Sequence, residues 1–424
     1  MRALFIILLQ LPFAIVHSQP IDTLDLGSCY ELLKQNYPLF SQSDIIVQSS
    51  SLHQQNYKLS WYPQLNLSSQ ATYQNEVTEI TMPNSLPFPI DIPSAPLDQY
   101  KIAINVQQNI YDGGLCKKQI SIEQSKEAVN LQQLEVEFTK LKMQVNTLYF
   151  NALLLQESIS LSKNLLKELQ VRKKTVISSV KNGVMLQADY DELKAEILKI
   201  EQTVFELEAQ ITLIRASLSS LLKITFIDTC TFTLTDIPLP SIEPPRRPEN
   251  LLFQLQKQQM EASKNLIGSK RQPRIYAFGQ AGYGRPGLNM LNDEFNPFYI
   301  VGIGMKWNIW DWGSANKEKQ IVTFNQSLLQ TNEKVFNIQL QLQLEQQAAT
   351  MVSLKESQKK DEEIIQLRKN ISNVAKSQMD NGTITTTEYL HKLNAEFAAR
   401  IEYARHSIQF EQAKANYLLL KGEL

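Results

Sequence analysis

The chain is written twice, and this limits its fold more than any other feature. Pro38 recurs as Pro248 and Pro63 as Pro273, both 210 residues later. Between each pair of prolines lie 24 residues of helical character, Leu39 to Tyr62 and Glu249 to Gln272. The run Asn109-Ile110-Tyr111-Asp112-Gly113-Gly114 recurs as Asn308-Ile309-Trp310-Asp311-Trp312-Gly313, now 199 residues on. Asn182-Gly183 and Tyr190 return as Asn381-Gly382 and Tyr389 at the same offset. The halves therefore differ by 11 residues at one place, around Met82 to Leu97. The five prolines of that segment exclude a helix or a central strand. Matches at fixed offsets are the mark of a tandem duplication.

Within each half the pattern reads helix, strand, loop, strand, long helix, turn, helix. The first repeat covers 19–223, with strands at about 64–74 and 101–111, a long helix at 115–181 and a return helix at 185–223. The second covers 248–424, with strands at about 274–283 and 300–310, a long helix at 314–380 and a return helix at 384–421. A Pro-rich connector, 224–247, lies between them.

The strands are short and alternate. Leu65, Leu67, Ser69, Ala71 and Tyr73 share a face opposite Asn66, Ser68 and Gln70, and Ile102, Ile104 and Val106 alternate with Ala103, Asn105 and Gln107. The second half matches with Ile275, Ala277, Gly279, Ala281 and Tyr283, then Val301, Ile303, Met305 and Trp307. About ten residues is the length a tilted strand needs to cross hydrocarbon, with an apolar face for lipid and a polar one for water. Tyr73, Tyr111, Tyr283, Trp307, Trp310 and Trp312 fall at strand ends, where membrane-interface aromatics belong. A soluble sandwich with an aromatic core is the alternative, but four strands split between two distant hairpins make a poor one.

Leu115 to Val180 contains no proline or glycine, and its 66 residues reach ~100 Å as a helix. Its apolar residues keep a heptad from Leu131, Leu134 and Phe138 through Val145, Ala152 and Leu169 to Val176 and Val180, so it packs lengthwise against a partner. Its counterpart is less regular. It is rich in Gln and carries Ile338, Leu340, Leu342 and Leu344, which give it two apolar faces. Each long helix ends at Asn-Gly, the left-handed residue a helix C-terminus wants. The return helices reach only ~55–60 Å, and the 24-residue segments can supply the remaining ~35 Å beside each long helix.

Arg2 and the apolar stretch Ala3 to Val16, followed by Val16-His17-Ser18, read as a signal peptide over 1–18. Leu26-Gly27-Ser28-Cys29 imitates a lipoprotein box, but it lies about ten residues beyond the apolar core, with Asp22 and Asp25 between. No later apolar run reaches about 20 residues, so any membrane crossing must be made by strands. A net charge of -1 leaves no electrostatic footprint for nucleic acid. Cys29, Cys116 and Cys230 are too few for a disulfide framework; a Cys29–Cys230 bridge is open, with unpaired thiols favoured. His53, His391 and His406 form no metal-ligand spacing, and the sequence implies neither a cofactor nor an enzyme.

Four membrane strands leave unpaired edges, which hydrocarbon does not tolerate, so closure must come from other copies. Two copies would give eight strands and a filled barrel, and three give twelve with an aqueous bore. A homotrimer is expected, with a tetramer left open.

Taken together, these landmarks resemble the TolC-type outer-membrane efflux channels. The carrying residues are Asn36-Tyr37-Pro38, Tyr62-Pro63-Gln64-Leu65, the strand exits ending at Asp112-Gly113-Gly114 and Asp311-Trp312-Gly313, and the two Asn-Gly turns. The resemblance spans the expected mature chain. It implies a mainly α fold with membrane β: a duplicated helix-hairpin repeat, a long α-helical barrel, and four strands per chain closed as a trimeric 12-stranded β-barrel. It also implies a passive duct that works with a periplasmic adaptor and an inner-membrane pump in tripartite efflux or type I secretion. On the same resemblance, Asn182, Gly183 and Val184 with Asn381, Gly382 and Thr383 are adaptor-docking tips, unless the glycines serve only as caps. Asp189 and Glu388 are periplasmic aperture candidates. His391 stands where some members carry a second acid, so a pH-sensitive constriction competes with a plain solvated face. The rival to a channel is a periplasmic coiled-coil adaptor or structural protein of the same machines.

Overall fold

The computed structural model describes residues 23–78, 94–225, 230–234, 236–238, 241 and 243–424. The expected leader, most of the proline segment near Met82 and parts of the connector lie outside the described residues. In chain order the elements are β1 (Thr23–Leu24), α1 (Leu26–Asn36), α2 (Ser41–Leu59), β2 (Gln64–Tyr73), β3 (Asp98–Tyr111), α3 (Leu115–Lys181) and α4 (Gln187–Leu222). They continue with β4 (Thr231–Phe232), α5 (Pro248–Ser269), β5 (Arg274–Arg285), β6 (Asn296–Lys306), α6 (Ser314–Asp380) and α7 (Thr386–Lys421). Among the described residues no helix is long and apolar enough to cross a membrane.

Two compact units result. One holds the described residues up to Phe40, with Glu137–Arg247 and Gln339–Leu424; the other holds Ser41–Val136 and Pro248–Ile338. Helices α3 and α6, 67 residues each, contribute to both.

The second unit is built on a four-stranded antiparallel sheet of order β2-β3-β5-β6. The two hairpins are not distant: β3 pairs with β5 from Tyr100–Arg285 to Tyr111–Ile275, with a bulge between Asn109 and Tyr111. One sheet with two free edges replaces the two separate ribbons expected from sequence. The fourth strand is also displaced, to 296–306 instead of 300–310. Its partner begins at Arg274, opposite Lys306, and Pro273 before it has no N–H to extend the ladder. The apolar alternation runs on to Trp307 and Ile309, but the strand stops where its partner stops. Similarly, β3 starts at Asp98 and not at 101, because Tyr73 finds its partner there. In the same unit α5 is tied to α6 by Lys257–Glu333 at 2.6 Å and Lys270–Glu318 at 3.5 Å, and Gln124 of α3 donates to Gln54 of α2.

The first unit has two apolar cores. One gathers Leu24, Cys29, Leu33, Val145, Tyr149, Phe150, Leu218, Phe232 and Leu418. Here β1 and β4 form a two-residue parallel pair, Thr23 with Thr231 and Leu24 with Phe232. Gln156 of α3 reads both backbone groups of Phe232 at 2.9 Å, which seats the connector. All three cysteines are buried, and among the described residues none forms a disulfide. Burial pushes the Cys29 thiol far up, with Asp25 and Cys230 adding to the shift. The other core, Leu165, Leu169, Val176, Leu193, Ile197, Ala375, Met379, Tyr389 and Leu393, holds the two helical hairpins together near their turns.

Candidate functional site

The sheet presents two chemically distinct faces. Across the strands in register, Leu67, Ile104, Ala281 and Tyr299 form one row, and Leu65, Val106, Gly279 and Val301 the next. Leu65, Leu67, Val301 and Ile303 are 70 to 78% exposed. Water does not reward such a face, whereas lipid does. On the opposite face Gln280 donates to Asn105 at 2.6 Å, Asn105 to Ser68 at 2.8 Å and Lys101 to Gln280 at 3.1 Å. Three aromatic rings on this polar face lie flat over cross-strand glycines: Phe298 over Gly282, Phe278 over Gly302 and Tyr276 over Gly304. A Cβ on any of these glycines would come within 2.7 Å of the ring above it.

Aromatics sit at both ends of the sheet. Tyr73, Tyr283 and Tyr299 mark one end, joined by Phe295, which stacks on Tyr283 at 5.7 Å and on Tyr100 at 6.2 Å. Phe295 lies in a loop without alternation and so leaves no periodic signal. Tyr111 marks the other end, with Trp307, Trp310 and Trp312 beyond the last residue of β6, in its exit segment. Trp307 donates its indole N–H to the Arg271 carbonyl at 3.0 Å, and Trp310 meets Trp312 edge to face at 5.9 Å.

Both strand exits use the same cap. The Asp112 carboxylate accepts from Gly114 N–H at 2.8 Å and Cys116 N–H at 2.7 Å, and Asp311 from Gly313 at 3.0 Å and Ala315 at 3.1 Å. These bonds satisfy orphan amides at the starts of α3 and α6. The Ala315 amide first, then Gly313 and Arg271, hold the Asp311 carboxyl below the usual range.

The tips are built alike. Gly183 and Gly382 take φ +73° and +71°, and the next residues, Val184 and Thr383, donate at 2.9 Å to Ser179 and Gln378 carbonyls. This is a Schellman closure, which requires the left-handed glycine. Asn182, Gly183, Val184, Asn381, Gly382 and Thr383 are all exposed, as is Leu186.

The aperture candidates have structural partners. Glu388 and Thr385 form a reciprocal capping box at 3.2 Å in each direction. Asp189 accepts from its own Leu186 N–H at 3.1 Å and from Thr386 N–H of the second tip at 3.4 Å. His391 is exposed and, among the described residues, has no hydrogen bond or ion pair to Glu388. With Ile371, Val374, Gln378 and Ile384, both line a groove of about 640 Å³.

Arg172 is a residue the sequence reading missed. It is buried on α3, pairs with Asp380 at the end of α6, and holds its guanidinium 5.3 Å over the Tyr389 ring. Burial first, and then Glu168, push the Tyr389 hydroxyl pKa up. A cation inside the α3 seam was the available signal, since only a partner makes that tolerable.

Residues 30–222 match the family model described as Outer membrane efflux protein. No protein of curated function matches the sequence. The fold is similar to the outer membrane protein VceC of Vibrio cholerae, at 13% identity and TM-score 0.68, covering 94% of this chain and 96% of that one. It is likewise similar to the CmeC outer membrane channel of Campylobacter jejuni, at 13% identity and TM-score 0.68 over 94% and 85% of the two chains. The open MtrE outer membrane channel of Neisseria gonorrhoeae gives 15%, 0.64, 94% and 89%. The chain thus carries the sequence pattern of the outer membrane efflux protein family over its first repeat and has the fold of these channels along its length.

Proposed function

We propose that this chain is the outer-membrane exit duct of a tripartite efflux pump or type I secretion system, a passive channel closed by three copies of itself. The observation that carries this is the sheet: four strands, two unpaired edges and an exposed apolar face on one side only. Lipid covers that face, and strands of neighbouring copies satisfy the edges, since hydrocarbon leaves no other partner for their N–H and C=O groups. Twelve strands surround an aqueous bore, where eight would be filled by side chains. A periplasmic adaptor would not need such a face. Tyr73, Tyr111, Tyr283, Trp307, Trp310 and Trp312 anchor the sheet at the two lipid–water boundaries. Fractionation of whole envelopes, followed by planar-bilayer recording of the purified trimer, tests the assignment. Stable conductance and co-fractionation with porins are expected; a detergent-independent soluble monomer would sink it.

The tips Asn182–Val184 and Asn381–Thr383 are where a periplasmic adaptor linked to an inner-membrane pump engages. The exposed Val184 and Leu186 side chains support this, because a turn needs its glycine for closure but has no folding use for two apolar residues in water. Glu388 doubles as cap and aperture charge, with Asp189 beside it. Glu388→Gln keeps a hydrogen-bonding cap while removing the charge, so potassium preference in bilayers is expected to fall. Unchanged selectivity would leave Glu388 as a cap alone.

A further inference from the structure

On the polar face of the sheet every charged residue is a cation. Lys101, Arg274 and Lys306 are the charged members, and no Asp or Glu of β2, β3, β5 or β6 points to that side. Arg274 and Lys306 are direct cross-strand partners. Like charges so placed, with Cβ atoms about 5 Å apart, destabilise a sheet. Among the described residues neither forms an ion pair that would relieve this repulsion. Next to them on the same face stand Tyr276 and Phe278, their rings 6.2 Å apart and laid over Gly304 and Gly302. A glycine beneath each ring leaves the opposite ring face turned toward the bore.

We propose that Arg274 and Lys306, with the rings of Tyr276 and Phe278, form a subsite for aromatic organic anions on the lumen wall of the barrel. A bound anion supplies the counter-charge that these two cations lack, and the rings supply a stacking surface. Lys101, 4.8 Å over the Phe298 ring and hydrogen-bonded to Gln280, continues the positive wall further along the bore. Low-dielectric walls of one sign concentrate counter-ions, so solutes bearing a carboxylate or sulfonate on a ring are favoured in transit. Repetition of the site in each copy makes a ring of cations at the sheet end where β5 begins and β6 ends.

The subsite rests on the channel reading above, and the test separates the two. Naphthalene trisulfonate is added to wild-type trimers in a planar bilayer at about 0.1 M salt, where charges act over about 10 Å. Concentration-dependent block is expected. In Arg274→Gln/Lys306→Gln the blocking concentration should rise about ten-fold or more, a change of about 1.4 kcal/mol. The charge-keeping variant Arg274→Lys/Lys306→Arg should retain the block and controls for assembly. Phe278→Leu should weaken the block by naphthalene trisulfonate but not by pyrophosphate. Equal block of wild type and the double Gln variant overturns the subsite while leaving the channel intact. Pyrophosphate as potent as the aromatic anion overturns its aromatic half. A wild-type protein that never conducts overturns the channel and the subsite with it.

Discussion

Asp112 and Asp311 occupy equivalent places in the two repeats and do equivalent work, each accepting two amides at the start of a 67-residue helix. Replacing a capping carboxylate by alanine costs about 1 kcal/mol. Asp112→Ala and Asp311→Ala should each lower the thermal midpoint of the detergent-solubilised protein; no change in either would mean that solvent caps these helices equally well. The residues that follow diverge. Gly113 takes φ +68°, and a Cβ there would sit 2.4 Å from that of Gln272, so glycine is obligatory. Trp312, its counterpart, holds φ +53° with a side chain that is 83% exposed. A left-handed L-residue costs about 1–2 kcal/mol, and its exposed ring offers the interface something in return. Trp312→Gly should therefore raise stability in detergent while slowing insertion into vesicles. The repeated Asp-x-Gly motif was legible in the sequence as a landmark, but its capping role was not, because side-chain-to-amide bonds leave no periodic trace. Glu423 shows the same blindness. Lys421 and Ser241 draw its carboxyl down to about 2. A folded pKa below the unfolded one stabilises fully above the ordinary carboxylate range near 4.3, and that stabilisation is lost as pH falls through about 2. Between about pH 5 and pH 2, wild type should lose more thermal stability than Glu423→Gln; parallel losses would remove this clasp from the account.

At the scale of elements, periodicity decided what could be read. The heptad residues of α3 from Leu131 to Val180 named above are all buried or half-buried, since a seam of apolar residues can be satisfied only by a neighbouring helix. The displaced β6 shows the limit of that logic: alternation says which residues share a face, but a strand ends where its partner's backbone ends. Two-residue β1 and β4 are too short to carry any period at all. The Arg172 contact is of the same unreadable kind, since it joins α3 to Asp380 of α6 and Tyr389 of α7. Removing one member of a buried charged pair costs about 3–5 kcal/mol, discounted here to about 1–3 because Asp380 is half exposed. In Arg172→Ala, hydrogen exchange should accelerate over Thr386–Leu393 and stay unchanged in the sheet. Uniform acceleration would show a general loss of stability instead of a freed tip.

For the whole molecule, the apolar surface left uncovered indicates what is missing. Helix α6 has two apolar faces: Leu340 is buried, while Phe324, Leu328, Val335, Ile338 and Leu342 are exposed. These exposed residues recur at spacings of four, seven, three and four, a coiled-coil seam with no partner among the described residues of its own chain. The sheet poses the same problem with its two free edges, and the proposed trimer would solve both at once. Burying a Leu or Val side chain is worth about 1.5–3 kcal/mol, and a trimer repeats each contact three times. Leu328→Lys/Val335→Lys should therefore abolish the trimer on mild-detergent gels and, with it, conductance. The helices of each chain should survive, since neither side chain belongs to an internal core. Far-ultraviolet circular dichroism alongside the gel distinguishes the outcomes. Lost helix would mean the stripe matters within the chain, and an intact trimer would mean that the stripe faces water and that strand pairing alone holds the copies together.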